Sequence, residues 1–407
     1  MKYTISLLLL MLILSSCKKE TEDNSLQRKD LMLSPESKQI VKAGNAFGFS
    51  LLNKLLAENA PNNNLMISPV SISMALSMTY NGAETQTSDE MSEVLNFKGM
   101  SKDEVNNAFQ SFIPQLETAD MHVKLSIANS IWYRNSLSVK REFLNTNSLY
   151  FGAEVNASDF NNPNTVNHIN DWVSMHTQGK ITKIIQEINP DLMMILINAV
   201  HFKGIWHYKF DESDTQKRPF RTGSGDTVQT ETMNTEADVQ YYENDSLKIA
   251  ELPYGRGNYA MLLAVPKDGY SANNFIQSLT MESYAELIAG LGTTSKVNVF
   301  LPKFTFEYEK ELNKTLKLLG MPTAFSGAAD FSSIADTPLH ISQVLHKSYI
   351  EVNEEGTEAA AVTAVFMNRT SAGSGFVFRA DRPFFFAIRE RSSGAVIFCG
   401  IVNNPKN

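Results

Sequence analysis

The sequence predicts an α+β fold in one large domain. Helical apolar spacing dominates the first half of the chain, and alternating strand patterns crowd the second half. No Pro/Gly/Ser-rich linker divides residues 36–407. A chain of 407 residues has room for two or three domains of about 150 residues, so the missing linker decides for one. Hydrophobic residues make up 43% and charged residues 20%, which excludes a wholly disordered chain. The net charge of −8 argues against a nucleic-acid partner, because such binders present a basic surface. Cys17 and Cys399 are the only cysteines, so a disulfide framework and a four-cysteine zinc site are both ruled out.

The chain opens with Lys2 and an apolar run over 5–14 broken only by Ser6. That run is shorter than the roughly 20 residues a bilayer span needs, so it reads as an export signal. Leu14-Ser15-Ser16-Cys17 resembles the lipobox of bacterial lipoproteins, in which small residues fit the peptidase cleft and the thiol takes the lipid. The alternative is an ordinary signal with an incidental cysteine. The expected organisation is a signal peptide over 1–16, a polar tether with lipidated Cys17 over 17–36, and a folded domain over 37–407. The protein is then exported and held by its lipid at the bacterial outer membrane or cell surface, or else extracellular. Cys399, left solitary, is expected in the core.

From Ser37, Val41, Phe47, Leu51, Leu52 and Leu55 recur at near-helical spacing until Pro61 and its three asparagines break the pattern. A second helix is expected over 69–80, stopped by Asn81-Gly82. Further helices are expected near 102–116, 140–151, 164–178, 271–289 and 309–319. Val123, Leu125 and Ile127 alternate with polar residues and continue into Ile131-Trp132-Tyr133 as a strand. A long apolar strand is expected over 192–206 and an alternating one over 297–306. Two hairpins are expected: 247–254 with 259–265 about Gly255–Asn258, and 384–388 with 395–402 about Ser392-Ser393-Gly394.

Motifs for common enzyme chemistry are absent. The sequence contains no Gly-x-Ser-x-Gly, His-Glu-x-x-His, P-loop or EF-hand loop. Gly255-x-Gly257-x-x-Ala260 imitates a dinucleotide fingerprint but precedes a strand, so it reads as a hairpin turn. His201 and His207 flank Trp206 and read as structural rather than metal ligands. No cofactor or metal is expected, and the chain is not expected to be an enzyme. Only a hydrolase assembled from distant Ser, His and Asp stays open.

Residues 351–378 do not fit an ordinary loop. A polar turn, Glu354-Glu355-Gly356, leads into Thr357-Glu358-Ala359-Ala360-Ala361-Val362-Thr363-Ala364-Val365-Phe366-Met367. At a period of two, Thr357, Ala359, Ala361, Thr363, Val365 and Met367 share a face, and every one is small or apolar. The other face carries the single charge, Glu358. The stretch then runs into a Ser/Gly-rich tip suited to exposure and nicking. On periodicity alone, an edge strand ending in a long loop is the simpler reading.

At this segment the chain resembles a serpin. The run from Glu354 to Ala361 is similar to the proximal hinge of inhibitory serpins. Phe378-Arg379-Ala380-Asp381-Arg382-Pro383-Phe384 and Phe398-Cys399-Gly400-Ile401-Val402-Asn403 resemble the family's signature and its C-terminal strand. Asn64-Leu65-Met66-Ile67-Ser68-Pro69, Ile169-Asn170-Asp171-Trp172, Asn198-Ala199-Val200-His201-Phe202 and Leu301-Pro302-Lys303 match in family order.

The resemblance implies three β-sheets, about nine helices and an exposed reactive-centre loop over about 354–377. It implies a hinge containing Glu354, Gly356, Thr357, Ala359, Ala360, Ala361 and Thr363, and a buried polar shutter of Ser68, Ser71, Asn198 and His346. It also implies a breach, where insertion begins, at Trp206, Lys303 and Glu354. The implied function is suicide inhibition of serine, and by extension cysteine, proteases by a monomer. Loop length sets the scissile bond at Thr370–Ser371, suited to an elastase-like or subtilisin-like target. A register one residue shorter sets it at Arg369–Thr370, suited to a trypsin-like one. The alternative is a serpin-fold binding or chaperone protein without inhibition. Such members often carry bulky, charged or Pro residues in the hinge, where this chain departs only mildly, at Val362.

Overall fold

A computed structural model describes residues 28–189, 191–357 and 376–406. In chain order the described residues form α1 (Pro35–Leu56), β1 (Leu65–Ile67), α2 (Pro69–Tyr80), α3 (Thr85–Val94), α4 (Lys102–Glu117), β2 (Val123–Arg134), α5 (Arg141–Phe151), β3 (Glu154–Ser158), α6 (Asn164–His176) and β4 (Met194–Ile205). The chain continues with β5 (Gln216–Arg221), β6 (Thr227–Glu243), β7 (Leu247–Pro253), β8 (Tyr259–Pro266), α7 (Ala272–Gln277), α8 (Met281–Gly290), β9 (Gly292–Pro302), β10 (Phe304–Glu311) and α9 (Asn313–Leu319). It closes with β11 (Gln343–Val352), β12 (Gly356–Thr357), β13 (Val377–Arg379), β14 (Phe384–Glu390) and β15 (Val396–Val402).

The strands join in two networks. One has six strands in the order β10-β11-β12-β4-β2-β3, with β11 also pairing β4 directly. The other has nine, in the order β1-β15-β14-β8-β7-β6-β9-β13, with β5 on β6. The three expected sheets therefore appear as two hydrogen-bonded networks. The 17-residue β6 pairs β5 at its start, β9 along its length and β7 at its end, so it joins two layers. An irregularity between Ala237 and Val239 breaks the β6–β9 register, and such bulges bend a strand.

Local sequence sets the helices. Ser34 caps α1 by accepting from the Ser37 amide at 3.1 Å, with Pro35 in the first turn. Ser101 and Glu104 cap α4 reciprocally. α2 is buried along its whole length and packs against β2 and β4 on one side and β15 on another. Most of the core is continuous around it. A second cluster lies where Ile169, Trp172 and Val173 of α6, with Ile181, Ile184 and Ile185 beyond it, cover Ile195, Ile197 and Leu345 of the six-stranded sheet. Cys399 is a buried free thiol in β15.

Several expectations need correction. The helix expected over 271–289 is two helices, because Thr280 and Ser283 form a new capping box. The strand expected over 297–306 is also two, β9 and β10, separated at Lys303. The helix expected from 309 begins at Asn313, since β10 takes the earlier residues. The described part of the expected tether is not free: Lys29 O accepts from Asn258 at 2.7 Å, and the Leu31 amide donates to Ser392 Oγ at 3.0 Å.

Candidate functional site

The six-stranded sheet has an incomplete seam. β11 and β4 run parallel in a ladder from Gln343↔Ile195 to Ser348↔Val200, where the ladder ends. At the top of the seam β12 is wedged between the same two strands. Gly356 and Thr357 pair antiparallel with Ile205 and Gly204 of β4, and Thr357 also pairs with Val352 of β11. Tyr349-Ile350-Glu351 and His201-Phe202-Lys203 lie between the closed ladder and the wedge.

A tight turn delivers that wedge. The Asn353 amide donates to Gly356 O at 2.9 Å, and the Gly356 amide returns to Asn353 O at 3.2 Å. Asn353 Oδ1 also accepts from the Glu355 amide at 3.1 Å. A Cβ at Gly356 would run into the Gly204 carbonyl oxygen, so only glycine lets the backbones approach this closely. Thr357 is 1% exposed, and its Oγ1 lies 2.6 Å from the Tyr254 hydroxyl. Burial pushes the Tyr254 phenol far up, so it stays neutral.

The three expected breach residues do meet. Trp206 stacks on Tyr254 with ring centroids 4.4 Å apart. Its indole Nε1 donates to Asn353 O at 2.9 Å, and its amide donates to Glu355 O at 2.9 Å. The Glu354 carboxylate accepts from Lys303 Nζ at 2.8 Å and from Thr215 Oγ1 at 2.7 Å. Burial alone would raise its pKa, but these two donors outweigh burial and hold the carboxyl below its usual range. Sequence reading missed Thr215, Asn353 and Tyr254 as partners.

Lower in the seam the polar cluster is nearly the expected one. His346 Nδ1 lies 2.6 Å from Asn198 Oδ1, across the β11–β4 pair His346↔Asn198. The Asn198 amide nitrogen donates to Ser71 Oγ on α2 and to Asn129 Oδ1 on β2 at 2.6 Å. With that oxygen accepting, His346 carries its proton on Nδ1. Burial pushes the imidazole down to about 3, so the ring is neutral. Asn129 is the member that sequence reading missed. Ser68 departs from expectation: its Oγ is buried without a hydrogen-bond partner among the described residues, as is His346 Nε2. Ser68 instead starts α2, its carbonyl accepting from the Ile72 amide at 3.0 Å.

Cys17, Ala359, Ala360, Ala361, Thr363, Arg369, Thr370 and Ser371 lie outside the described residues. On the near side of that gap the chain leaves from Thr357, in the six-stranded sheet. On the far side it resumes at Phe376 and enters β13, which pairs parallel with β9 in the other network. The arrangement can accept more strand: a ladder stops short, and one residue pair of a new strand already sits in its mouth.

The family profile "Serpin (serine protease inhibitor)" matches residues 42–405. An uncharacterized serpin-like protein of Methanosarcina mazei is 33% identical over 416 residues, spanning 98% of this chain and 96% of that one. The crystal structure of the thermophilic serpin tengpin in its native state superposes with a TM-score of 0.83 at 33% identity, over 92% of this chain and 96% of tengpin. Human thyroxine-binding globulin, complexed with thyroxine, superposes with a TM-score of 0.82 at 29% identity, over 91% and 99% of the two chains.

Proposed function

This chain belongs to the serpin family, and we propose that it is a suicide-substrate inhibitor of serine endopeptidases, with cysteine endopeptidases a further class. A protease attacks Arg369–Thr370 or Thr370–Ser371 and forms an acyl-enzyme. The freed hinge then inserts as a new strand and drags the protease with it. A displacement of about 1 Å in the catalytic groups costs roughly a hundredfold in rate, enough to stall deacylation.

One observation carries the reading: the register of β12 agrees with the ladder below it. Continuing the pairing of Thr357 with Val352 and Gly204 sets residue 359 opposite Ile350 and Phe202, 361 opposite Ser348 and Val200, and 363 opposite His346 and Asn198. Ser348↔Val200 and His346↔Asn198 are already partners across the seam, so the new strand needs no slip in either neighbour. Those rows face the core, since Ile350, Phe202, Val200 and Ser348 are all buried. The residues to be placed there are alanine and threonine, which fit without a charge. About ten new strand residues add roughly 5–15 kcal/mol of net hydrogen bonding.

In this reading Asn198, His346, Ser71 and Asn129 form the shutter that insertion must break, so they set a kinetic barrier. Trp206, Lys303, Glu354 and Thr215 hold the breach where insertion begins. Cys17 is proposed as the lipid-bearing residue of an exported protein, so Cys17→Ser should leave the membrane fraction.

The test is incubation with trypsin, neutrophil elastase, subtilisin and papain, read on a denaturing gel. The expected result is an SDS-stable complex with at least one of them, and a cleaved form that melts far above the intact one. Cleavage by all four without any complex or rise in melting temperature would leave a binding protein of the same fold.

A further inference from the structure

The outer face of the network beside β13 carries an unpaired cationic cluster built around one ring. The guanidinium of Arg218, from β5, lies 4.7 Å from the centroid of the Phe300 ring, and that of Arg379, from β13, lies 4.8 Å from the same ring. Arg379 is the direct neighbour of Phe300 in the β13–β9 pair. Neither guanidinium has a carboxylate partner among the described residues. Arg218 donates weakly to Gln216 at 3.3 Å, and its Nε is buried without a hydrogen bond. Glu236 shares this face, opposite Asn298, but no ion pair joins it to either arginine. Stacking on the ring restricts both guanidinium groups, which lowers the entropy cost of engaging a partner.

The cluster is continuous with an apolar strip. Phe376 is 62% exposed and Val377 is 43% exposed, and Phe376 packs on Tyr241 with centroids 6.2 Å apart. Val377 and Arg379 face outward from β13, while Phe378 faces the core. Five or six residues separate the proposed scissile bonds from Phe376, a reach of at most about 20 Å. Any protease holding that bond is therefore held within that distance of this strip.

We propose that Phe376, Val377, Arg379, Phe300 and Arg218 form a docking surface for the body of the protease, selecting enzymes with an acidic rim beside the subsites that take residues after the scissile bond. This rests on the inhibitor reading. The chain carries a net charge of −8, so an acidic enzyme is repelled by the molecule as a whole and drawn to this cationic cluster. The cluster thus acts on orientation and association rate rather than on the trapping step.

The test uses the full chain against anionic and cationic trypsin, which share a specificity pocket and differ in surface charge. Loop cleavage and complex formation are both timed, at low and high salt. The wild-type chain should meet anionic trypsin about tenfold faster or more at low salt, with the gap closing at high salt. Arg218→Gln with Arg379→Gln should erase the preference, and the double glutamate variant should invert it, with the ratio of complex to cleaved product unchanged. Equal rates for the two trypsins, or a preference that survives both double variants, would overturn the proposal. If loop cleavage shows the preference but no complex forms, the docking surface stands and the inhibitor reading fails.

Discussion

Thr357 Oγ1 and the Tyr254 hydroxyl lie 2.6 Å apart, both buried, at the point where β12 enters the sheet between β11 and β4. This contact fixes which face of the proposed incoming strand would be internal: the threonine side chain points to the core, so on insertion each second residue after it would do so as well. Thr357→Arg would place a charge against a neutral phenol in a dry site. Incubation of that variant with a protease that complexes the wild type should give cleaved protein and no SDS-stable complex. Full complex formation would refute the hinge assignment. Thr357→Val should still insert, yet strand the Tyr254 hydroxyl and lower stability by about 1–3 kcal/mol in a urea titration.

Gly356 is the tightest point of the hinge, because a Cβ there meets the Gly204 carbonyl oxygen and the Ile205 backbone. Gly356→Ala should expel β12 from the seam at a cost of about 1–3 kcal/mol. Trp206 reports on this directly, since its indole donates to Asn353 O within the same turn and stacks on Tyr254. A shifted tryptophan emission with little change in overall circular dichroism is the expected pair of readings.

The buried cluster of Asn198, His346, Ser71 and Asn129 should make the intact molecule acid-sensitive. Burial holds His346 down to about 3, below its value in an unfolded chain, so between pH 6.5 and 3 the unfolded state binds the extra proton. Stability is therefore complete above about 6.5 and falls as pH drops, by at most about 1.4 kcal/mol per pH unit from this group. His207 is lowered too, mainly by burial and against its bond to Gly255 O, so it contributes with the same sign. His346→Gln should lose the His346 share of the slope between pH 6 and 4 and keep the His207 share. An unchanged slope would place the acid sensitivity elsewhere.

The turn at 353–356 and the pairing of Gly356 and Thr357 with β4 follow a local signal in the sequence, and the proposed hinge rests on the same signal: a turn, a period of two and a run of small residues. The helices were legible where caps and apolar spacing coincide, as in α1 and α4. The strands β5 and β6 were not, because their exposed positions hold Thr, Gln, Glu and Arg in a pattern like that of a loop. α3 was missed for a related reason, since only Thr87 and Met91 of its ten residues are buried. The missing site partners leave no spacing signal. Tyr254 meets Thr357 from 103 residues away, Asn129 meets Asn198 from 69, and Thr215 meets Glu354 from 139. Only the pairing of distant strands brings them together.

Lys303 and Thr215 keep the Glu354 carboxylate ionised in a nearly closed site, its side chain 7% exposed. Because its pKa is depressed in the folded state, this group contributes stability above about 4.5 that is lost as pH falls through its folded pKa. Lys303→Ala should lower stability at pH 7 by about 1–2 kcal/mol, a modest figure because Lys303 itself is partly exposed. The difference from wild type should shrink on acidification and vanish once Glu354 is protonated in both. A difference that stays constant down to pH 3 would assign the loss to packing by the lysine stem.

The sharpest test of the insertion register exchanges one charge between neighbours. Glu358 is the sole charge in the stretch Thr357–Met367, and the proposed register would set it opposite Glu351 and Lys203, on the face away from the core. Position 359 falls one row on, opposite Ile350 and Phe202, each 2% exposed. The double variant Glu358→Ala with Ala359→Glu keeps composition, loop length and net charge. It moves one carboxylate from a row that already holds charge to one lined by apolar side chains. A buried unpaired carboxylate costs several kcal/mol, so insertion should stop at its second inward residue. Protease should then cleave the loop at the wild-type rate and escape, and the cleaved chain should melt near the intact temperature. Trapping as efficient as in the wild type would mean that the strand enters in another register, and the pairing of Thr357 with Val352 and Gly204 would not be the first row of the inserted sheet.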